Sequence, residues 1–226
     1  MKIIATIIVT FCYCHLFGQD VAAFRNNAYG RPLYLMSNRA TEGSPYYSDD
    51  YQTAQITAMN GAVYNDVKIK INLADNIIQY QAADGKEMIA DMPIKKISFA
   101  NLSAAVSNVI LEAPSGAINK LGTPIYAVLD SGKITLLKKI VITYRDDQKY
   151  GESTVTRIYD RKEVYYFMKQ NDKEQKLEKG KAAILDLFQD QKEKITAFID
   201  HYHLDLKTEA SYKSVFNFYN SLSNQN

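Results

Sequence analysis

The chain has no tryptophan, two cysteines, three histidines and five prolines in 226 residues. Each shortage removes a class of function. Both cysteines, Cys12 and Cys14, stand near the start, so a chain trimmed of its first residues carries no thiol. Disulfide frameworks, thiolate metal sites and cysteine nucleophiles are then excluded, and core burial alone must hold the fold. His15 goes with the same segment, leaving His201 and His203 as the sole imidazoles. Surface sugar platforms lean on tryptophan, and its absence counts against that ligand class. Charge is short too: 27 Lys plus Arg stand against 25 Asp plus Glu, and losing Lys2 leaves a net charge near +1. Nucleic acid needs basic residues gathered on one face and is not an expected partner. Beyond the start, no segment approaches the ~18 apolar residues of a membrane span.

What is present begins with an export pattern. Lys2 precedes an apolar run from Ile3 to about Phe11, and a less apolar stretch ends in the small residue Gly18. That order of charge, apolar run and small residue is a secretory signal, too short to cross a bilayer. Residues 1–18 are expected to be removed, with Gln19 or Asp20 first in the mature chain. A lipoprotein needs a small residue directly before its cysteine. Phe11 precedes Cys12 and Tyr13 precedes Cys14, so lipid attachment is not expected. The expected location is the periplasm, the periplasmic face of the outer membrane, or the medium. Some two hundred residues remain, enough to bury about 70% of the unfolded surface.

Residues 19–50 show weak periodicity and turn residues such as Gly30 with Pro32 and Gly43 with Pro45, which predicts an extended lead-in. Residues 51–170 read as β. Val67 to Leu73 alternates without a fault, Asn76 turns the chain into Ile77 to Tyr80, and Asp84-Gly85 turns it into Lys86 to Met92. Ile94 to Phe99, Ile125 to Leu129 and Ile134 to Tyr144 follow. Val155 to Tyr159 is expected to meet Val164 to Met168 across a turn at Asp160 to Glu163. Short turns between consecutive strands predict an antiparallel meander of about 8–10 strands, curled into a half-barrel or split into two layers. Residues 171–226 change to a helical period, with stripes at Leu177, Ile184, Leu185 and Phe188, then Ile195, Phe198, Ile199 and Tyr202, then Tyr212, Val215, Phe216, Tyr219 and Leu222. Asp190 with Glu193 resembles a capping box, and Thr208 is a candidate cap for the last helix. The predicted class is α+β: a curled antiparallel sheet followed by three C-terminal helices packing on it, with residues 51–226 as one cooperative unit.

Four segments carry a resemblance: Gly61 to Leu73, Tyr126 to Lys139, Val164 to Phe167, and the tail from Ala183 to Leu222. Through them the chain resembles a broad group of exported proteins of unknown function from Bacteroidetes-type bacteria. The resemblance implies export in a Gram-negative cell. It brings no activity, ligand or partner to any residue.

Chemistry-bearing residues are few. Asp200, His201, His203 and Asp205 could bind a metal, but histidines two apart point to opposite sides of a helix, and cationic rings suit a helix end. Ser131-Gly132-Lys133 lacks the glycine and hydroxyl of a phosphate loop, since Ala127 and Ile134 stand at those places, and reads as a hairpin turn. The pairs Asp49-Asp50 and Asp146-Asp147 lie beside turn residues, where acids are solvated unless they face a partner across a cleft. Lys138-Lys139 reads as an edge or bulge charge, and Asn101 to Ser103 matches a glycosylation sequon. No catalytic, metal or cofactor-binding residue is assigned, and no cofactor is expected. The reading is an exported, non-enzymatic binding or scaffolding protein of the envelope, its partner an envelope protein. A carrier of an apolar small molecule or lipid, held on the face of Val67, Ile69, Ile71 and Tyr80, is the alternative. An acid-dependent hydrolase is the third reading.

Overall fold

The computed structural model describes residues 17–33, 40–99, 109–114, 116–148, 150, 154–170 and 172–223. The fold is α+β: a large, open, mostly antiparallel sheet with helices packed on it. The strands are β1 (Arg31–Pro32), β2 (Ala40–Glu42), β3 (Gln52–Ala58), β4 (Val63–Asn72), β5 (Ile77–Gln81), β6 (Glu87–Ile89), β7 (Ile94–Phe99), β8 (Val109–Glu112), β9 (Tyr126–Asp130), β10 (Ile134–Asp147), β11 (Thr156–Lys169) and β12 (Gln175–Lys176). Their order is β1-β6-β5-β4-β3-β7-β8-β9-β10-β11-β12, and β2 joins β11 in parallel. A simple meander is therefore not what forms. The chain runs outward from β3 to β6, then returns to pair β7 with the other side of β3. Asn119 holds that return, donating to the Ala90 and Met92 carbonyls at 2.8 Å each and accepting from the Ile94 amide at 3.2 Å.

The expected extended lead-in is corrected at its start. Helix α1 (Phe17–Asn27) occupies it, with Asp20 in its first turn and Arg25 in its last, the arrangement that complements a helix dipole. Phe24 and Ala28 are fully buried, and Phe24 meets the rings of Tyr64 and Tyr80 edge-on at 5.6 and 5.3 Å. Three polar ties fix the helix: Asn65 donates to Asp20 at 2.8 Å, Arg25 to the Gln81 carbonyl at 2.9 Å, and Asn27 to the Tyr64 hydroxyl at 3.2 Å. The stripe that does this, Val21, Phe24 and Ala28, is too sparse to stand out beside the signal pattern.

The C-terminal residues form α2 (Lys181–Leu187), a 3₁₀ turn (Gln189–Gln191), α3 (Lys192–His201) and α4 (Glu209–Ser223). Ile184, Phe188, Ile195, Ile199, Tyr212, Val215, Phe216 and Tyr219 form a second core with Ile134 and Leu136 of β10. Leu177 belongs to this core but precedes the helices; its amide bonds the Tyr165 carbonyl. Thr208 caps α4 as expected, its hydroxyl accepting from the Ser211 amide at 3.2 Å. Asp190 does not cap α3, whose first turn has no side-chain cap. Its carboxylate is spent on Lys133 and Tyr219 instead.

Cross-strand register explains where polar groups gather. One row runs Ile56, Ile97, Leu111, Ala127, Lys138, Tyr165 across five adjacent pairings. It starts in the core under α1 and ends under α4, so Lys138 sits where the two cores meet.

Candidate functional site

Strands β10 and β11 pair along their whole length, from Ile134 opposite Lys169 to Asp147 opposite Thr156. The expected turn at Asp160 to Glu163 does not form: these residues are mid-strand, opposite Thr143 to Ile140. On the other side of β10, β9 ends with Tyr126 opposite Lys139. Pro124, which has no amide proton, stands two residues earlier and lies outside the strand. From Ile140 to Asp147, β10 has β11 on one side and, among the described residues, no strand on the other. The hairpin thus extends past the sheet as an arm.

Short polar ties stiffen that arm. Arg157 bonds Asp146 through two nitrogens at 2.7 and 2.9 Å, and its guanidinium lies 4.0 Å over the Tyr144 ring. Tyr144 meets Tyr159 edge-on at 6.0 Å, Arg145 reaches Asp160 at 2.8 Å, and β2 lies along Thr156 to Ile158. Exposed pairs contribute only about 0–1 kcal/mol each, yet several around one hairpin define its shape.

The arm's two edges differ in chemistry. Between β2 and β12, the outer edge of β11 carries Asp160, Arg161, Lys162 and Glu163, charges that deter strand addition. This explains why a charged run that reads as a turn stays in a strand. The β10 edge carries Ile140, Val141, Ile142, Thr143 and Tyr144. The first three are half-buried, while Tyr144 is 55% exposed. Beside it lies a groove of about 280 Å³, lined by Lys139 to Ile142, Leu73, Asn76 and the turn from Leu121 to Ile125. Asn76 ties the groove's far wall together by donating to the Lys120 and Thr123 carbonyls at 3.1 and 2.8 Å. An open apolar edge beside a groove can accept an added strand through backbone hydrogen bonds.

At the base of the arm, Lys138 is not the edge charge the sequence suggested. It stands in an interior strand, its side chain 16% exposed, and meets Glu209 at 2.6 Å and Glu163 at 3.3 Å. Burial pulls the ammonium's pKa down, but the bond and charge of Glu209 with those of Glu163 outweigh it and raise it. Lys138 is therefore a fixed cation rather than a nucleophile. A bulge lies close by, where the β9–β10 register shifts between Leu136 and Leu137.

The hairpin turn at Ser131 to Lys133 docks on α4. Buried Asn220 accepts from the Ile134 amide at 3.1 Å, donates to its carbonyl at 2.9 Å and reaches Asp130 at 2.7 Å. A Cβ on Gly132 would lie 2.5 Å from the Asn220 side chain, so glycine is needed here for close approach. Lys133 joins Asp190 at 2.8 Å, and Asp190 also accepts from the Tyr219 hydroxyl at 3.0 Å. These residues border a cleft of about 580 Å³ that also has Asp172 and Asp186 on its wall. The hydrogen bond from Lys133 holds the Asp190 carboxyl below its ordinary range, and burial raises the Tyr219 phenol.

The other candidates are dispersed. His201 and His203 are exposed, Asp200 accepts from Lys181, and Asp205 from Ser211 at 2.8 Å and the Lys207 amide at 3.1 Å. Among the described residues no group of three or more His, Cys, Asp or Glu side chains is placed to hold a metal. Asp49 accepts from the Ser44 hydroxyl, Asp50 is exposed, and Asp146 is engaged by Arg157. Asn101 to Ser103, Cys12, Cys14 and residues 1–16 lie outside the described residues. The face of Val67, Ile69, Ile71 and Tyr80 is covered by α1, a filler the sequence reading did not consider. Sequence reasoning also missed the open β10 edge; its one visible signal was Pro124 shortly before a strand whose partner runs longer. No family model matches the chain, and neither a curated protein nor a solved structure matches it.

Proposed function

We propose that the chain is an exported, non-enzymatic binding protein of the bacterial envelope that engages a protein partner by strand addition at the β10 edge. The observation that carries this is the apolar edge from Ile140 to Tyr144 on a stiffened arm, which no strand among the described residues pairs. Proteins blunt or cover such edges, as this one does on β11, and an edge left apolar serves pairing. Export rests on Lys2, the apolar run Ile3 to Phe11 and Gly18, and on the resemblance to exported proteins. A cut after Gly18 keeps Phe24 of α1 and the adjoining Ala28, both fully buried, so these core residues survive processing.

The alternatives have less support. A carrier of an apolar ligand needs an uncovered apolar face, whereas Val67, Ile69, Ile71 and Tyr80 are buried in one core with Phe24. An acid-dependent hydrolase needs a carboxyl kept protonated, whereas Lys133 pushes Asp190 toward the ionised form. Placing a photocrosslinking amino acid at Tyr144 in living cells tests the binding role. The expected result is a protein adduct that disappears when Thr143→Lys is added. Absence of any adduct would overturn the role. N-terminal sequencing should return Gln19 or Asp20, and an intact Met1 would end the export reading.

A further inference from the structure

Of the asparagines in the sequence, only Asn60 is followed by glycine. That neighbour matters chemically, because the next backbone nitrogen is the nucleophile closest to a side-chain amide, and glycine has no Cβ to screen it. Asn60 and Gly61 are both exposed in the turn from β3 to β4. Gly61 has φ +87°, and a Cβ placed on it would meet nothing within 4 Å, so solvent and base reach its nitrogen freely. The Asn60 Oδ1 accepts from the Ala62 amide at 3.1 Å. This local ring bends the side chain over the peptide that joins Asn60 to Gly61, and it draws electron density away from Cγ. Among the described residues no bond holds the Asn60 Nδ2. Asn76, Asn119 and Asn220 differ, each donating from Nδ2 to two oxygens, and each is followed by a residue with a side chain. One bond opposes reaction at Asn60: the Gly61 amide donates to the Ala58 carbonyl at 3.0 Å. It lies at an exposed turn, where water can take its place.

We infer that Asn60 is a modification site, converted in the folded protein to aspartate and isoaspartate by the backbone nitrogen of Gly61. The Gly61 amide gives its proton to base, and its nitrogen bonds to the Asn60 Cγ. The Cγ–Nδ2 bond breaks, and Nδ2 takes a proton from water and leaves as ammonia. The cyclic imide that remains takes up water. Opening at Cγ leaves aspartate, and opening at the backbone carbonyl leaves isoaspartate, whose chain runs through Cβ and Cγ. Nothing is oxidised or reduced, and the net change is an amide exchanged for a carboxylate. Asn60 lines a groove of about 370 Å³ that has no charged residue on its wall and includes the exposed Tyr29 and Met59. The reaction turns that uncharged surface anionic. Isoaspartate also lengthens the backbone between Ala58 and Ala62, whose amide and carbonyl pair at 2.9 Å, and so loosens the start of the β3–β4 pairing.

Peptide mass spectrometry of the folded protein, held in solution at neutral and at mildly alkaline pH, tests the inference. The peptide containing Asn60 should gain the mass of an amide-to-acid exchange and separate into aspartate and isoaspartate forms. Conversion should be faster at the higher pH, because the attacking nitrogen must first lose its proton. Peptides containing Asn76, Asn119 and Asn220 should stay unchanged over the same time. The acidic species that accumulates on ion exchange should be missing from Asn60→Gln, whose longer side chain disfavours the ring closure. An Asn60 peptide that stays as intact as the other three would overturn the inference. Conversion seen only in urea would overturn it as well, since the folded turn would then be shielding the site.

Discussion

Replacing Phe24 with alanine probes the least expected element of the fold. The side chain is 0% exposed and contacts two aromatic rings edge-on, Tyr64 at 5.6 Å and Tyr80 at 5.3 Å. Emptying such a site costs about 3–5 kcal/mol, of which each ring contact supplies about 0.5–1.5 kcal/mol. Relief by collapse is restricted, because Asp20, Arg25 and Asn27 hold the helix backbone over the sheet. A domain's whole stability is about 5–15 kcal/mol, so the loss is a large share of it. With a urea dependence of about 1–3 kcal/mol per molar, the unfolding midpoint should fall by about 2 M. Asn26→Ala, at an exposed position of the same helix, should stay within about 0.5 kcal/mol of the parent protein. A midpoint for Phe24→Ala equal to that of the parent would refute the packing of α1. The apolar face of Val67, Ile69 and Ile71 would then be open, and a carrier of an apolar ligand would become the better reading.

Three further outcomes are expected. Asn220→Ala should cost about 2–4 kcal/mol in a chemical melt, since it leaves the buried amide and carbonyl of Ile134 without their partner; an unchanged melt would contradict the docking of the hairpin turn on α4. Asp190 has a folded pKa below its ordinary 3.8, so its contribution is present above that value and is lost as pH falls through the folded pKa. The stability gap between the parent and Asp190→Asn, measured by thermal melts, should accordingly be constant near neutral pH and close below about pH 4; a gap that widens in acid would contradict the Lys133 tie. His201→Ala with His203→Ala should shift stability by at most about 1 kcal/mol, both rings being exposed, and stoichiometric metal lost in that variant would overturn this.

Local periodicity carried much of the architecture. Ile94 to Phe99 is read to the residue, and Ile77 to Tyr80 falls one short of the strand that forms. These are half-buried strands with a clean period of two, where side-chain pattern and backbone agree. Thr208 was legible for a similar reason, because capping is a contact between residues three apart. The failures are contacts between distant residues. Nothing near β7 says that it pairs with β3 rather than β6, and nothing near Ala40 announces a parallel pairing with Thr156. Asp160 to Glu163 has the composition of a turn, but a charged run also suits an outer strand edge, and only the sheet order separates the two. Asp190 likewise satisfied the local capping pattern while Lys133, far away in sequence, claimed its carboxylate. The open edge of β10 depends on where β9 stops, which is a property of two strands at once.

Amide hydrogen exchange on the peptide covering Ile140 to Tyr144, compared between the purified protein and the protein in its native envelope, tests the central claim most directly. Strand addition at the β10 edge should slow exchange of those amides that point away from β11, while peptides from α1 and α4 keep their rates. That protection should be present in the native envelope and absent in Thr143→Lys. Exchange at the edge that is equally fast in the purified protein and in the envelope would mean that no strand is added there, and the proposed role would fall with it.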